Sequence, residues 1–419
     1  MLAGESSPVA PRVASVSTAT APKSVAFPQR MAQAMERIHQ LRAADRYPFH
    51  RVMSGFDGGS VIADGQKMRM LGSYEYLNIL DHPLRVAAAK KALDDFGTGG
   101  KGVPILAGRT TIHVELEKRL AHLMNAEDAI VYSGGYITNL ATVATFVGLG
   151  DVVIGDALNH ASIVDGCRYS GARFVTFAHN DLAALERLLA ENAGTHTLVV
   201  VEGAFSMDGD IGIIPPVAEL CRQHGAYLMV DEAHSLGVLG ATGRGVQEHF
   251  GLSADAIDLK MGTLSKALGG VGGFVAGKAD IIDFMRHQSR GYLFSGALPP
   301  PNAAASLAAL DVLEQEPWRV ERLQANARRW RDGLKTLGFD TFASETPIVP
   351  VRMPDETAAF EFAHRCKERG VFVVPVVFPA VPQNAPRLRT CVTAGLTDAD
   401  LDMALEVFAK TGRELGVIG

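Results

Sequence analysis

Short apolar runs alternate with helix-like segments through the middle of the chain. The runs predicted to be β-strands are Ala129–Tyr132, Asp151–Gly155, Ala172–Phe177, Leu198–Glu202, Ala226–Val230, Ile257–Met261 and Gly273–Ala276. Between them, segments such as Asp181–Glu191 and Pro216–His224 space their apolar residues as helices do. Strands that alternate with helices pair in parallel through right-handed crossovers. The pattern therefore predicts an α/β fold with a doubly wound, mostly parallel sheet.

The two ends of the chain have different patterns. The first residues are rich in Ala, Ser, Pro and Val without any period, which is typical of a disordered tail. Helical spacing then predicts a helix from Pro28 to about Arg46, and a last helix at Asp398–Leu415. The expected divisions are a disordered tail (1–27), an N-terminal arm (28–71), a large domain (72–312) and a smaller α+β C-terminal domain (313–419).

Composition excludes several classes of protein. The 40 basic and 46 acidic residues leave a net charge of −6 without a basic block, which argues against nucleic-acid binding. The longest strongly apolar stretch, Val371–Val381, contains two prolines and falls short of the ~20 residues of a membrane span. The four cysteines lie far apart and form no Cys-x-x-Cys pair, so neither a metal site nor a disulfide scaffold is expected. We expect a cytoplasmic protein.

The segment Asp231-Glu232-Ala233-His234 directly follows the predicted strand Ala226–Val230. In helicases this tetrapeptide holds magnesium, but that use also requires a Gly-x-x-x-x-Gly-Lys-Ser/Thr phosphate loop, which the sequence lacks. Ligands of open α/β sheets bind at the carboxyl ends of strands. Asp231 is therefore a candidate functional residue, and the alternative is a strand end that is polar by chance.

A glycine-rich segment, Gly97–Gly102, fits the pattern Gly-x-Gly-x-x-Gly. A dinucleotide site needs this pattern between a strand and a helix, whereas here it follows the helix-like Arg85–Phe96. We interpret it as a glycine-rich loop near a substrate entrance rather than as a nucleotide site.

Lys266 lies in Gly262–Gly270, after the predicted strand Ile257–Met261. Its neighbours are small or apolar, which is unusual for a lysine in a surface loop. Desolvation lowers the pKa of an amine and so favours imine formation with an aldehyde cofactor. Thr263 and Ser265 offer hydroxyls to a phosphate. The alternative is a simple tight turn.

Two more polar segments follow strands. Ser133-Gly134-Gly135-Tyr136 precedes a helix-like segment, and backbone N–H groups at a helix start form a phosphate site. His160 follows another strand, although a lone histidine is more often structural. Because His160, Asp231, Lys266 and the phosphate loop each come just after a strand, we expect them to converge on one face of the sheet.

This ordered set of motifs resembles the α-oxoamine synthases, which are pyridoxal-phosphate enzymes of fold type I. The resemblance runs from about Gly72 to Leu415 and is strongest at Val200–Asp210, Val230–Gly245 and Gly262–Gly273. It implies a decarboxylative Claisen condensation of glycine, alanine or serine with an acyl thioester, carried on coenzyme A or on a carrier protein. The products would be an α-amino ketone and carbon dioxide.

The resemblance also implies roles for the candidate residues. Lys266 would hold pyridoxal 5'-phosphate covalently and act as the base at the substrate Cα. Asp231 would pair with the pyridine nitrogen, and His160 would stack on the ring. The residues expected at the ring hydroxyl are His234 and Ser206, and those expected at the phosphate are Gly135, Tyr136, Thr263 and Ser265.

Substrate binding and assembly follow from the same resemblance. Arg389 would hold the amino-acid carboxylate through a bidentate pair. The segment Phe294–Pro300 would reach into a neighbouring subunit's site, so a homodimer with shared active sites is expected.

Three segments depart from the family pattern near the expected substrate pockets, namely Tyr74–Asn78, Val103-Pro104 and Ala394–Leu396. Val103-Pro104 removes a potential cationic side chain from the acyl entrance, which is compatible with a carrier-protein donor or an unusual acyl group. The favoured alternative is that Arg109 or Lys101 supplies the same charge from a neighbouring position. Another fold-type-I activity, an aminotransferase or an amino-acid lyase, is one alternative. A silent partner subunit of a heterodimeric synthase is another, against which the presence of Lys266, Asp231 and His160 argues.

Overall fold

A computed structural model describes residues 26–419, so the predicted disordered tail lies outside the described residues as far as residue 25. Of the described residues, 26–47 belong to a unit of their own, which contains helix α1 (Phe27–Ala43). This helix confirms the one predicted from Pro28, although it ends three residues earlier. None of its residues is buried.

The second unit, Pro48–Gly419, contains the strands and the remaining helices. The strands are β1 (Met53–Asp57), β2 (Ser60–Ala63), β3 (Gln66–Met70), β4 (Asp128–Tyr132), β5 (Val152–Asp156), β6 (Arg173–Phe177), β7 (Thr197–Glu202), β8 (Tyr227–Asp231), β9 (Leu259–Thr263), β10 (Gly273–Gly277), β11 (Ile348–Arg352), β12 (Val371–Phe372), β13 (Val374–Val376) and β14 (Arg387–Cys391).

The remaining helices belong to the same unit. They are α2 (Pro83–Phe96), α3 (Thr111–Leu123), α4 (Gly135–Phe146), α5 (Ala161–Ser170), α6 (Leu182–Glu191), α7 (Ile214–His224), α8 (Val246–Phe250), α9 (Ala279–Gln288), α10 (Arg290–Leu293), α11 (Pro300–Gln315), α12 (Trp318–Thr336), α13 (Glu356–Glu368) and α14 (Asp398–Glu414), with a π-helical turn at Pro104–Gly108. Within residues 26–419, no helix has both the length and the apolar character needed to cross a membrane.

The central sheet has seven strands in the order β4-β10-β9-β8-β7-β5-β6. Every strand predicted from the apolar runs is present, and the ends differ by at most two residues. Strands β5, β7 and β9 are buried along their whole length, as expected for strands covered by helices on both faces. Strand β10 is antiparallel to both of its neighbours, whereas the remaining pairs are parallel. The predicted doubly wound, mostly parallel α/β fold is confirmed.

Two smaller sheets complete the unit. One has the order β11-β14-β13, and it packs with α12, α13 and α14 around Trp330, Phe362 and Phe408. The other has the order β1-β2-β3-β12 and was not predicted. Its parallel β3–β12 pair joins residues 66–70 to the C-terminal part of the chain. The domain boundaries at 71/72 and 312/313 stay predictions.

Candidate active site

The carboxyl ends of β5, β7, β8 and β9 lie at one edge of the central sheet, where they surround a cavity of about 170 Å³. Its lining includes eight of the predicted site residues: Gly135, Tyr136, His160, Asp231, His234, Thr263, Ser265 and Lys266. The convergence expected from the sequence therefore occurs. The lining also includes residues that the sequence analysis did not propose, namely Asn139, Ser162, Glu202, Ala233 and Met261.

Lys266 lies in the turn after β9, and its side-chain amine is part of the lining of this cavity. Burial lowers the pKa of Lys266 to about 8, although the carboxylates of Asp231 and Glu202 favour its charged form. Its Nζ lies 2.8 Å from His234 Nε2. The lowered pKa gives this amine a larger neutral fraction near neutral pH than an ordinary lysine has, and the neutral amine is the nucleophile.

Asp231 is a buried carboxylate held by two donors at the end of β8. The Ala233 backbone N–H donates to Oδ1 at 2.8 Å, and Asn139 Nδ2 donates to Oδ2 at 2.7 Å. Charge-assisted bonds of this kind fix a carboxylate's orientation. Asp231 is therefore placed to pair with a cationic group inside the cavity.

His160 caps the start of α5, because its Nδ1 accepts from the Ser162 backbone N–H at 3.3 Å. Burial lowers the pKa of His160, and the charge of Lys266 lowers it further against the opposing effect of Asp231. Its backbone N–H donates to Glu202 Oε1 at 2.5 Å. The neutral ring is thus held in one orientation, as stacking on an aromatic ligand requires.

His234 bridges the lysine and a buried tyrosine. Its Nδ1 lies 2.6 Å from the Tyr76 hydroxyl, and its Nε2 faces Lys266 Nζ. Burial lowers the pKa of His234 well below the usual value, and the charge of Lys266 adds to the effect. A neutral imidazole has one N–H and one lone pair, so His234 donates to one neighbour and accepts from the other.

The opposite end of the cavity is suited to an anion. Helix α4 begins at Gly135 without a side-chain cap, so its first backbone N–H groups are available to a ligand. A Cβ on Gly135 would lie 2.9 Å from Thr263 Oγ1, which explains the glycine. The hydroxyls of Thr263 and Ser265 lie 2.8 Å apart beside this helix start.

Two predicted residues, Ser206 and Arg389, are not among the residues that line the cavity. Arg389 Nε donates to the Ser206 backbone oxygen at 2.7 Å, and its guanidinium also hydrogen-bonds Tyr76. The charge of Arg389 contributes to the lowered pKa values of Lys266 and His234, after burial as the main cause. Both residues therefore lie next to the cavity, on the side of Tyr76.

The segments that depart from the family pattern fall in two places. Two of them, Tyr74–Asn78 and Ala394–Leu396, contact each other. The Ala394 backbone N–H donates to the Tyr76 backbone oxygen at 2.8 Å. A Cβ on Gly395 would lie 2.4 Å from Asn78 Cγ, so only glycine fits there. Val103-Pro104 lies at the start of the π-helical turn.

The sequence analysis missed two residues of the cavity, Glu202 and Asn139. The sequence contained a signal for Glu202. Glu202 ends the buried strand β7 beside Asp231, so the rule that singled out Asp231 applies to it as well. Burial and the charge of Asp231 raise the pKa of Glu202 well above its usual value. Asn139 lies one helical turn after Gly135, and no sequence signal sets it apart.

A larger cavity of about 470 Å³ lies elsewhere, between residues 238–249 and α12. It contains Glu248, whose carboxylate already accepts from the Thr242 and Arg244 backbone N–H groups. It contains neither a lysine nor a buried aspartate, so the smaller cavity is the candidate active site.

The smaller cavity fits pyridoxal 5'-phosphate. Lys266 offers an amine for the aldehyde, Asp231 a carboxylate for the pyridine nitrogen, and the uncapped start of α4 a site for the phosphate. The Asn139 Oδ1 atom is buried and has no partner among the described residues, which is consistent with a ligand group beside it.

Comparison with known proteins identifies the family of this chain. The family model described as aminotransferase class I and II matches residues 66–408. The 8-amino-7-oxononanoate synthase of Geobacter sulfurreducens is 44% identical over 384 residues, which cover 91% of this chain and 98% of that protein. The serine palmitoyltransferase of Bacteriovorax stolpii is 39% identical over 381 residues, 90% of each chain.

A solved structure has the same fold and a cofactor in place. It is a variant of serine palmitoyltransferase from S. paucimobilis with bound PLP–myriocin aldimine. Its TM-score is 0.91 at 34% identity, and the match covers 94% of this chain and all of that one.

The chain belongs to the aminotransferase class I and II family and is a pyridoxal-phosphate-dependent enzyme. Within that family it is an α-oxoamine synthase, which confirms the resemblance seen in the sequence. The expected reaction class, decarboxylative condensation of an amino acid with an acyl thioester, is confirmed as well. The roles of individual residues stay predictions.

Proposed function

We propose that this enzyme joins a small amino acid (glycine, alanine or serine) to an acyl thioester, and that Arg389 binds the amino-acid carboxylate. The placement of Arg389 beside Lys266 and Tyr76 carries the proposal. Ser206 accepts from Nε and Tyr76 takes one further N–H, so N–H groups on both Nη atoms still form a planar fork for a carboxylate. The amino acid would then have its Cα close to Lys266.

Bound pyridoxal phosphate supplies an electron sink for negative charge at the substrate Cα. Asp231 would hold a proton at the ring nitrogen, and the neutral His160 ring would stack on the cofactor ring. Lys266 Nζ takes the Cα proton, and a pKa of about 8 suits a base that works near neutral pH. His234 orients the lysine through its Nε2 contact.

In the condensation, the bonds that form and the bonds that break balance as follows. A carbon–carbon bond forms between the amino-acid Cα and the thioester carbonyl carbon, while the carbon–sulfur bond breaks and the departing thiolate takes a proton from solvent. The carboxylate held by Arg389 leaves as carbon dioxide, and the Cα takes a proton from Lys266 Nζ. The product is an α-amino ketone.

Arg389→Lys tests the carboxylate site. Lysine keeps the charge but loses the planar two-point fork, so we expect amino-acid binding to weaken by roughly tenfold to a hundredfold. Cofactor content should stay unchanged, because Arg389 does not line the cofactor cavity. The measurement is a titration of the holoenzyme with glycine, L-alanine and L-serine. An unchanged dissociation constant for the substrate amino acid rules the role out.

Coenzyme A thioesters are the proposed donors. Arg109 is engaged by the buried Glu117, so it does not replace the charge missing at Val103-Pro104. Lys101 is exposed and forms no ion pair with any residue in the described range 26–419, so it is available to a donor phosphate.

Matched acyl-coenzyme A and acyl-carrier donors, incubated with each of the three amino acids, test this proposal. Mass spectrometry should detect the α-amino ketone with turnover on coenzyme A equal to or better than on the carrier. Lys101→Gln should raise KM for the coenzyme A thioester by roughly threefold, the size of a screened surface contact. Turnover on the carrier donor alone contradicts the proposal.

We also propose that the enzyme is a cytoplasmic homodimer whose subunits share their active sites. The exposed apolar side chains of Leu106 and Phe294, 83% and 72% accessible, support a dimer because monomers seldom expose such groups together. The two segments adjoin, since the Ala297 backbone N–H donates to the Gly102 oxygen at 3.2 Å. The four cysteines are free and buried, as is usual in a reducing compartment.

A further inference from the structure

His179 lies between two buried carboxylates, just after β6 and outside the cofactor cavity. Its Nδ1 is 3.1 Å from both carboxylate oxygens of Asp156, and its Nε2 is 2.8 Å from Asp210 Oδ2. Since both ring nitrogens face acceptors, each carries a proton and the ring is an imidazolium. The ring also packs edge-on against Phe205 at 4.4 Å.

The charge on His179 is retained through the physiological range. Burial alone would lower the pKa of His179, but hydrogen bonds and charge attraction from Asp156 and Asp210 outweigh it and raise the pKa to about 10. Asn180 completes the cluster by donating to both carboxylates, from its backbone N–H to Asp156 and from Nδ2 to Asp210. Glu202 also lies near Asp156.

The two carboxylates belong to different segments of the active site. Asp156 ends β5 and begins the His160 turn (residues 156–160), in which its Oδ1 accepts from the Leu158 backbone N–H at 2.8 Å. Asp210 belongs to the Ser206 loop (residues 203–212), in which its backbone oxygen accepts from the Phe205 N–H at 3.0 Å.

The Ser206 loop is also held from its other side. Arg387 Nη1 donates to the Met207 backbone oxygen at 3.0 Å and to Asp208 Oδ1 at 2.8 Å. The side chains of His179 and Arg387 both hold this loop, and the Glu345 and Thr346 backbone N–H groups donate to its Gly209 oxygen at 2.9 and 3.0 Å. Within the loop, Ser206 fixes Arg389 through its carbonyl oxygen. Losing one support should shift the loop rather than unfold it.

We propose that His179 is a positioning residue that ties the Ser206 loop to the His160 turn and so orients Arg389 for the amino-acid carboxylate. This inference rests on the proposed function of Arg389. Without the imidazolium, Asp156 and Asp210, which are 2% and 6% exposed, would face each other without a counter-charge. Two buried carboxylates without a counter-charge repel each other. Because Asp156 is anchored at the end of β5, we expect the loop that carries Asp210 to shift.

His179→Gln tests the proposal in the holoenzyme. We expect the dissociation constant and KM of the amino acid to rise on the order of tenfold, with kcat and the thioester KM changed less than about threefold. Glycine, L-alanine and L-serine are each titrated by calorimetry. His196→Gln is the matched control, because the exposed side chain of that histidine hydrogen-bonds the Phe146 oxygen and packs on the rings of Phe146 and Tyr227, away from the cofactor cavity.

Two further variants separate this role from general stability. Asp210→Asn keeps an acceptor for Nε2–H and removes one charge, so it should weaken amino-acid binding in the same direction by a smaller factor. His179→Gln combined with Asp210→Asn leaves a neutral amide pair and should recover most of the lost affinity. Asp210→Asn also keeps the test open should His179→Gln fail to fold.

The pH dependence of unfolding provides a readout that does not depend on turnover. The pKa of His179 is raised above its unfolded value of about 6.5, so its contribution to stability is complete below that pH and is lost as pH rises through about 10. The difference in Tm between the wild type and His179→Gln should therefore shrink between pH 7 and pH 10.

Unchanged amino-acid binding in folded, cofactor-loaded His179→Gln and Asp210→Asn overturns the proposal. If Arg389→Lys weakens binding in the same experiment, the proposed function stands and only the role of His179 is wrong. If Arg389→Lys also binds normally, the carboxylate site itself is wrong.

Discussion

Replacing Lys266 with alanine is expected to lower kcat by at least about 10³-fold, because in the proposed mechanism one side chain both holds the cofactor and moves the Cα proton. Its amine is the only lysine amine among the residues that line the cofactor cavity in the described part of the chain. Steady-state turnover measures the effect, and spectral titration shows whether the variant still binds pyridoxal phosphate. Lys278→Ala, at an exposed lysine before α9, is the matched control.

Chemical labelling tests the same assignment in the unmodified enzyme. Borohydride reduction followed by peptide mapping should leave a pyridoxyl group on Lys266. Lys260 is the informative competitor, because burial also lowers its pKa to about 8. Its Nζ, however, donates to three backbone oxygens at 2.9 to 3.1 Å and lies outside the active-site cavity. A label on Lys260 would contradict the assignment.

Asp231→Asn is expected to slow exchange of the amino acid's α-proton by about 10²- to 10⁴-fold. An amide cannot keep the ring nitrogen protonated, so the electron sink is lost. The fold should survive, because the new side chain still offers an oxygen to the Ala233 N–H, and Asn139 can rotate its free oxygen toward the new amide. Exchange in D₂O, followed by NMR, measures the effect.

Asp283→Asn is the control for Asp231→Asn, since Asp283 is an exposed residue of α9. Its α-proton exchange should match that of the wild type. Near-wild-type exchange in Asp231→Asn would remove Asp231 from the mechanism, whatever the cofactor content of the variant.

Much of the fold and of the cofactor site could be predicted because both depend on local signals. A buried strand is a short run of apolar residues, and a polar residue directly after it lies at the sheet edge by geometry alone. This reasoning places His160, Asp231 and Lys266 together from the order of residues along the chain. The same rule extends to Glu202, which ends β7.

The parts that were missed depend on contacts between distant segments. Apolar periodicity does not encode strand direction, so the antiparallel orientation of β10 was not predicted. Tyr76 reaches His234 across 158 positions of sequence. Ser206 contacts Arg389 through its backbone oxygen, which no residue type can signal. The sheet with the order β1-β2-β3-β12 was missed because polar residues interrupt its short strands, as in Gln66-Lys67-Met68-Arg69-Met70.

The pairing of β3 with β12 has a consequence for synthesis on the ribosome. The two strands lie about 300 residues apart, as the contact between Gln66 and Lys367 illustrates. At roughly 5–20 residues per second, β3 emerges about 15–60 s before its partner exists. During that interval the outer edge of β3 has unpaired backbone groups. The charges of Lys67 and Arg69 oppose its pairing with other chains. The nascent chain should therefore have its longest exposure to chaperones at this edge, well after the central sheet has formed.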